Sequence, residues 1–198
     1  GSFAHDFTTK QMLKHPAFYV YGIWMILLCT CALGITGHAN QIALSTGIDV
    51  FTALMLVSLL SLSNGFGRLI IGTASDYMSP ITTMIIIAAL HALGAMLLML
   101  AVLTGSLILL IAGVACAGLG MSGVPVMGAG FSARYFGPSN YANNLAALNL
   151  LIIPAAFLGP MISSFFIMST GTYSYAMLIL AILSVVAALS TLILKRIR

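Results

Sequence analysis

Long apolar segments recur along the 198-residue chain, and short polar stretches separate them. Each segment has about 20 residues or more, the length that an α-helix needs to cross roughly 30 Å of hydrocarbon. The alternation of polar and apolar residues that marks a membrane β-barrel is missing. The pattern therefore predicts an all-α membrane protein with six transmembrane helices. The predicted helices are 16–39, 50–75, 80–103, 105–131, 139–168 and 173–194.

Composition supports a membrane protein and excludes an ordinary soluble domain. Hydrophobic residues make up 61% of the chain and charged residues 5%, whereas soluble domains average about 25% charged residues. The net charge of +4 comes from residues at the segment ends, so it indicates orientation in a membrane and no nucleic-acid partner. The three cysteines lie in apolar segments, where packing roles are commoner than disulfide or metal roles. We predict no cofactor and no metal site.

Basic residues lie at one set of segment ends. They are Lys10, Lys14, Arg134, Lys195, Arg196 and Arg198. With six spans these positions fall on one side, and the loops of the other side carry no Lys or Arg. Because cytoplasmic loops are enriched in both residues, we expect a multi-pass protein of the plasma (inner) membrane with both termini cytoplasmic. Residues 1–15 are predicted to be an N-terminal cytoplasmic segment or linker remnant, and 16–198 the transmembrane domain.

Arg68 is a permanent positive charge inside the second apolar segment, with no carboxylate beside it. Burying such a charge in a bilayer costs at least a few kcal/mol, and arginine does not lose its proton in proteins. We therefore expect Arg68 to face a cavity, a partner or a bound anion. Its planar fork fits a carboxylate. The alternative is an arginine that bonds backbone carbonyls or an acid on another helix. Helical spacing places several small or polar residues on its face: Ser61, Asn64, Gly65, Gly72 and Ser75.

Two later segments carry further candidates. The fifth contains Asn149, which we expect to face a cavity because asparagine is costly in lipid. The fourth is rich in glycine and contains Pro125, which predicts close helix packing and a bend. Its Gly120-Met121-Ser122-Gly123 also fits a signature of intramembrane serine proteases. That enzyme needs a histidine on a later helix, and all four histidines precede Ser122, so we expect no enzyme.

Four stretches of the sequence resemble a known family. They are "MLKHPAFYVYGIW", "GITGHANQIA", "NGFGRLIIGTASDYMS" and "RYFGPSNYANN". Together with six helices and two cytoplasmic ends, they look like the C-terminal half, helices seven to twelve, of a major facilitator superfamily transporter. Within that superfamily they resemble the oxalate/formate antiporter branch, next to the monocarboxylate transporters.

The resemblance implies roles for particular residues. Arg68 matches the intramembrane arginine that binds the substrate carboxylate, and Gly72 and Asp76 match a loop motif that latches the inward-closed state. Proton-coupled monocarboxylate transporters carry an aspartate where this chain has Asn64, which cannot titrate. Oxalate exchangers carry a lysine on the fifth helix, and residues 149–159 contain none. This difference favours a small monocarboxylate over oxalate.

We therefore expect secondary transport of small organic anions, carboxylates such as formate, oxalate or lactate, by alternating access. Arg68 would bind the carboxylate, with Asn64, Ser61 and Asn149 orienting it, while Gly72 and Asp76 would act in gating. Transporters of this fold hold substrate between two six-helix halves, so the expected partners are an N-terminal half, the carboxylate substrate and the lipid bilayer. The alternative is a membrane scaffold or sensor that has a transporter-like fold but does not transport.

Overall fold

The structure is a computed structural model that describes residues 6–194 and Arg196. Its regular elements are all α-helices within that part of the chain. They are α1 (Thr9–Met12), α2 (Pro16–Leu44), α3 (Val50–Tyr77), α4 (Pro80–Thr104), α5 (Leu107–Phe136), α6 (Tyr141–Asn149), α7 (Ile152–Thr170) and α8 (Ser174–Leu194).

Six spans in the described residues are long and apolar enough to cross a membrane. Five are the single helices α2, α3, α4, α5 and α8, and the sixth is α6 followed by α7. The predicted fold class is confirmed, and most spans are longer than predicted. The fourth reaches Phe136 and the first reaches Leu44, because each continues through a short stretch with polar residues to further apolar residues that pack in the core.

The fifth span is broken, and the prediction of one continuous helix over 139–168 was wrong in this respect. Helix α6 ends at Asn149 and α7 begins at Ile152. Pro154 has no N–H to donate to the carbonyl of Leu150, four residues earlier. Near the break the backbone N–H groups bond three residues back instead of four. The N–H of Leu151 donates to the Leu148 carbonyl at 3.0 Å, and that of Ile153 donates to the Leu150 carbonyl at 3.1 Å.

Short polar side chains cap the helices that begin on the polar stretches. Asp49, Ser79 and Ser106 each accept a hydrogen bond from a backbone N–H in the first turn of α3, α4 and α5, as good N-cap residues do. The hydroxyl and the amide of Thr52 both donate to Asp49 and hold the pKa of its carboxyl below the usual range. The caps fix where the spans start.

Glycines let the helices approach closely, as predicted for the fourth segment. A Cβ on Gly118 of α5 would lie 2.6 Å from the Leu60 carbonyl oxygen of α3. On α4, a Cβ on Gly94 would lie 2.7 Å from the backbone nitrogen of Ala117. Helices α2 and α7 meet in the same way, since a Cβ on Gly159 would lie 2.5 Å from the Thr30 carbonyl oxygen. Helix α5 is thus packed between α3 and α4 with little room for side chains.

The two ends of the bundle differ in charge. One end, here named the basic end, holds α1, the turns after α3 and α5, and the C-terminal end of α8. It carries Lys10, Lys14, Arg134 and Arg196, and the described loops of the opposite end carry no Lys or Arg. Lys195 and Arg198 lie outside the described residues, as do residues 1–5 of the predicted N-terminal segment. The assignment of the basic end to the cytoplasm stays a prediction.

Two spans are much less covered than the rest. Only 22% of the most apolar stretch of α3 and 17% of that of the α6–α7 span are buried, against 39–67% for the other four. The uncovered surface of α3 is apolar, with Phe51, Phe66 and Leu69 all more than 60% exposed. These two spans also form the candidate site.

Candidate functional site

A cavity of about 210 Å³ lies among α2, α3, α5 and the fifth span. Three of its lining residues are polar and the others are mostly apolar. The lining residues are Met25, Cys29, Ala32, Leu33, Asn64, Arg68, Met121, Val124, Pro125, Asn149 and Ile152. They lie near the middle of the spans, so the cavity is near the middle of the bundle.

The three polar residues of this cavity were all predicted from the sequence as substrate-binding candidates. Asn64 and Arg68 come from α3, one turn apart, and Asn149 comes from the last position of α6. The expectation that Asn149 orients a substrate bound by Arg68 required these two segments to meet, and both line this cavity. The structure therefore joins the candidate cation with two amides from different spans.

The Arg68 guanidinium is exposed and makes no hydrogen bond or ion pair with any described residue. The described acids, Asp6, Asp49 and Asp76, all lie outside the middle of the spans. A charge at this depth needs compensation, and the described part of the chain does not supply it. This arrangement differs from the alternative in which the arginine is bonded to carbonyls or to an acid within the protein.

Asn64 lines the cavity and has a hydrogen-bonding atom without a partner among the described residues. Its Oδ1 is buried and has no hydrogen-bond partner. Leaving a buried polar atom unpaired costs about 1–3 kcal/mol, and such atoms at a cavity are expected to meet a ligand or water. A half-turn of the amide about its last bond exchanges oxygen and nitrogen, so Asn64 can present either an acceptor or an N–H donor beside Arg68.

The walls formed by α5 and the fifth span each contain a site of weakened backbone hydrogen bonding, although α5 continues as a helix through Pro125. Pro125 has no N–H to donate to the carbonyl of Met121, and both residues line the cavity. In the fifth span the break at Leu150 and Leu151 follows directly after Asn149. Irregular backbone at membrane depth is tolerated where it borders a cavity, and broken helices commonly form the binding sites of transporters.

The wall formed by α2 is apolar, and its place at the cavity was not predicted from the sequence. Helix α2 contributes Met25, Cys29, Ala32 and Leu33. Their spacing places them on one helix face, but an apolar face on an apolar helix gives no sign of which cavity it borders. The result is one cation and two amides on one side of a small space with an aliphatic and sulfur-containing surface on the other.

Ser61 does not line this cavity. It lies on α3 in a separate shallow groove with Ser58, Gly65 and Phe66. Ser61 and Arg68 are seven positions apart on the helix, a rise of about 10 Å at 1.5 Å per residue. Sharing a helix face therefore does not bring them to one small ligand. The substrate-orienting role of Ser61 stays a prediction that this geometry does not support.

The predicted gating residues lie at the basic end, away from the cavity. Nη2 of Arg134 is 3.8 Å from Oδ1 of Asp76 and donates to the Ser75 carbonyl at 3.2 Å. Sequence reasoning used Arg134 for orientation and missed it as the partner of Asp76. Gly72 is in open space, since a Cβ there would meet nothing within 4 Å, so it is not needed for packing among these helices.

The serine and the histidines that could have had a catalytic or metal-binding role form hydrogen bonds within the bundle. The Ser122 hydroxyl is wholly buried and donates to the Leu119 carbonyl at 2.6 Å. His91 is buried, and its Nδ1 bonds the Ile87 carbonyl at 3.0 Å. His38 lies between the hydroxyls of Ser164 and Tyr173, at 3.3 Å from each. Among the described residues no three His, Cys, Asp or Glu side chains form a group that could hold a metal ion.

Comparison with known proteins identifies the family. The model of the Major Facilitator Superfamily matches residues 18–198. This match covers nearly the whole chain, and the chain belongs to that superfamily. The superfamily is one of membrane transporters and not of enzymes, so the protease interpretation of Ser122 is abandoned.

One similar protein is described as an uncharacterized MFS-type transporter, YhjX of Escherichia coli (strain K12). It is 27% identical to this chain over 151 residues, which are 76% of the chain and 37% of the relative. The chain thus matches a little over a third of the length of that protein.

Proposed function

We propose that this chain is the C-terminal six-helix half of a secondary transporter for small organic anions, and that Arg68 binds the substrate carboxylate. The observation that carries the proposal is the mid-span cavity in which Arg68 lies beside Asn64 and Asn149. Membership in the Major Facilitator Superfamily supports the transport activity, and the chemistry of the cavity supports the substrate class.

The Arg68 guanidinium provides the binding energy in this proposal. A carboxylate that enters the cavity loses its hydration shell and needs charged, directional donors in return. Arginine offers parallel N–H groups that match both carboxylate oxygens. The described helices leave the Arg68 fork unengaged, so it is available to a ligand.

The amides and the apolar wall set the selectivity. Asn64 and Asn149 can each donate an N–H to a carboxylate oxygen or accept from a hydroxyl. The wall of α2 offers a surface for a short aliphatic group and no second cation. A dianion such as oxalate would therefore have one charge unpaired at this half, so the cavity favours a small monocarboxylate such as formate or lactate.

An N-terminal six-helix half is the proposed partner. The two spans that contribute Arg68, Asn64 and Asn149 are the least covered of the six. Large apolar side chains on α3, such as Phe51, Phe66 and Leu69, have no cover from the described residues. A second half placed against α3 and the fifth span would close the cavity, and rocking of the two halves would expose it to each side in turn.

The gating role proposed for Asp76 and Gly72 uses the basic end. The ion pair of Asp76 with Arg134 joins the ends of α3 and α5 there, and Gly72 leaves open space on α3 where a helix of the other half could approach. Both residues would act on the equilibrium between inward-open and outward-open states and leave the binding of the substrate largely unchanged.

Transport by the assembled protein in proteoliposomes tests the proposal. Formate, lactate, acetate and oxalate would be offered as labelled substrates, with choline as a cationic control. We expect uptake of at least one monocarboxylate that exceeds oxalate uptake and is lost in Arg68→Ala. Equal uptake by wild type and Arg68→Ala would contradict the role of Arg68. No uptake of any anion by a folded protein would favour the scaffold or sensor alternative.

A further inference from the structure

Helix α6 is held weakly by its own packing. It has nine residues, of which only Asn144 and Leu148 are buried. Before it lies Gly137, whose φ of +81° makes a sharp turn, and after it lies the break at Leu150 and Leu151. With so few buried side chains, the position of α6 depends on what contacts it.

Residues 6–14, here named the strap, contact α6 through the buried amide of Asn144. The Nδ2 atom of Asn144 donates to the Phe7 carbonyl at 3.1 Å, and its Oδ1 accepts from the Thr9 hydroxyl at 2.9 Å. Asn144 is wholly buried. Both ends of its amide are therefore satisfied by the strap, and withdrawal of the strap would leave a buried polar group unpaired.

The strap also holds the turn that leads into α6. The Asp6 carboxylate accepts from the Ser139 amide at 3.3 Å and from the Ser139 hydroxyl. The N–H of Phe7 donates to the Phe136 carbonyl at 2.9 Å, and the two phenyl rings meet edge to face at 5.7 Å. Gly137 is required here because a Cβ would collide with Asp6.

The other end of the strap is fixed to the bundle. Met12 in α1 is fully buried in the core, and the ring of His15, which caps α2, lies 5.3 Å from that of Phe7. The strap thus connects the start of α2 to α6. Helix α6 ends in Asn149, which lines the Arg68 cavity.

We propose that the strap is a conformational restraint on α6: it holds α6 against the bundle, and it must release α6 for the basic end of the cavity to open. This inference rests on the proposed transport function, because opening has meaning only for a cavity that exchanges substrate. It assigns to residues 6–14 the control of access to the cavity, where the sequence predicted only an N-terminal cytoplasmic segment or linker remnant over 1–15.

Hydrogen exchange in the assembled transporter tests the restraint directly. One hydrogen bond changes a local equilibrium by about two- to tenfold. We therefore expect Thr9→Val to accelerate amide exchange in 141–149 by about that factor, and Thr9→Val with Asp6→Ala by at least about tenfold. Exchange in α4 should stay unchanged. The matched control is Thr104→Val, whose hydroxyl bonds only its own helix at the opposite end. Unchanged exchange in 141–149 in the folded double variant would overturn the restraint.

Release during transport is tested by locking the strap. Cysteines introduced as Asp6→Cys and Ser139→Cys replace two side chains that are already in contact. We expect the oxidised pair to transport at least about tenfold more slowly than either single variant, and a reductant to restore the rate. Transport by the fully oxidised protein at the rate of the single variants would show that the strap need not move.

The inference and the proposed function fail in different ways. Substrate binding at equilibrium depends on Arg68 and should stay within about threefold in the locked protein, whereas turnover depends on the strap. If Arg68→Ala loses substrate binding but the oxidised cysteine pair transports at the normal rate, the proposed function is supported and the strap proposal is wrong. Absence of anion binding in the wild-type protein removes the proposed function, while the exchange measurement still decides whether the strap holds α6.

Discussion

Arg134 lies 3.8 Å from Asp76, through Nη2 and Oδ1, and so joins the basic ends of α3 and α5. Both side chains are solvent-accessible, at 40% and 75% exposure. Exposed ion pairs contribute roughly 0–1 kcal/mol to stability. The pair is therefore better suited to biasing a balanced conformational equilibrium than to holding the fold together.

Asp76→Asn should change turnover without a comparable loss of substrate affinity. The substitution removes the ion pair at the basic end, and the Arg68 cavity does not contain Asp76. We expect affinity within a few-fold of wild type, and Arg134→Gln should produce the same change in rate as Asp76→Asn. Asp49→Asn, at the other end of α3, is the control. A collapse of affinity with turnover retained would contradict the gating role.

Gly118→Ala should destabilise the bundle, whereas Gly130→Ala on the same helix should not. A Cβ at Gly118 would lie 2.6 Å from the Leu60 carbonyl oxygen, while one at Gly130 would meet nothing within 4 Å. Overpacking of this kind costs about 1–3 kcal/mol. Thermal unfolding in detergent measures the effect, and equal melting temperatures for the two variants would contradict the close contact of α3 with α5.

Pro154→Ala should repair the break in the fifth span and slow transport. Alanine supplies an N–H that can donate to the Leu150 carbonyl in the regular helical pattern, in place of the bond from Ile153. Helices α6 and α7 could then join into one helix, and Asn149 would be held less freely at the cavity. Pro160→Ala is the matched control, because α7 continues through Pro160 without a break. Transport rates of both variants decide this, and an unimpaired Pro154→Ala protein would show that the break is not needed.

A cysteine at position 134 should react with an impermeant reagent only from the cytoplasmic side. The expectation follows from the Lys and Arg residues gathered at the basic end. Asp49→Cys, at the exposed opposite end, should react only from outside. Labelling of position 134 by the impermeant reagent in intact cells would contradict the predicted orientation and show that the basic end faces outward.

The sequence predicted the spans well because their lengths and apolar character are properties of single segments. It also gave Arg68 as a candidate, because a single charge in an apolar segment is visible without knowledge of its neighbours in space. It expected Asn149 to orient a substrate bound by Arg68, but the shape and the apolar wall of their common cavity depend on which segments pack together. Pro154 was a signal for the break after Asn149, but proline is tolerated in many continuous transmembrane helices.

The contacts of the strap were beyond sequence reasoning for a related reason. Residues 6–14 are polar and have no periodic apolar pattern, so nothing local assigned them a surface to bind. Their partner Asn144 looked like one of several asparagines on the fifth segment, and its burial follows only from the tertiary arrangement. The pairing of Arg134 with Asp76 likewise joins residues that are distant in the chain.

The central claim is that Arg68 binds the carboxylate of the substrate, and equilibrium binding to purified Arg68 variants of the assembled transporter tests it most directly. Losing one member of a desolvated charge pair costs about 2–5 kcal/mol, so we expect Arg68→Ala to weaken binding by at least about thirtyfold. Arg68→Lys should not restore affinity, because lysine has no planar fork. Lys14→Gln, an exposed charge outside the cavity, should bind as wild type. Affinity of the correctly folded Arg68→Ala protein close to that of wild type would contradict the account.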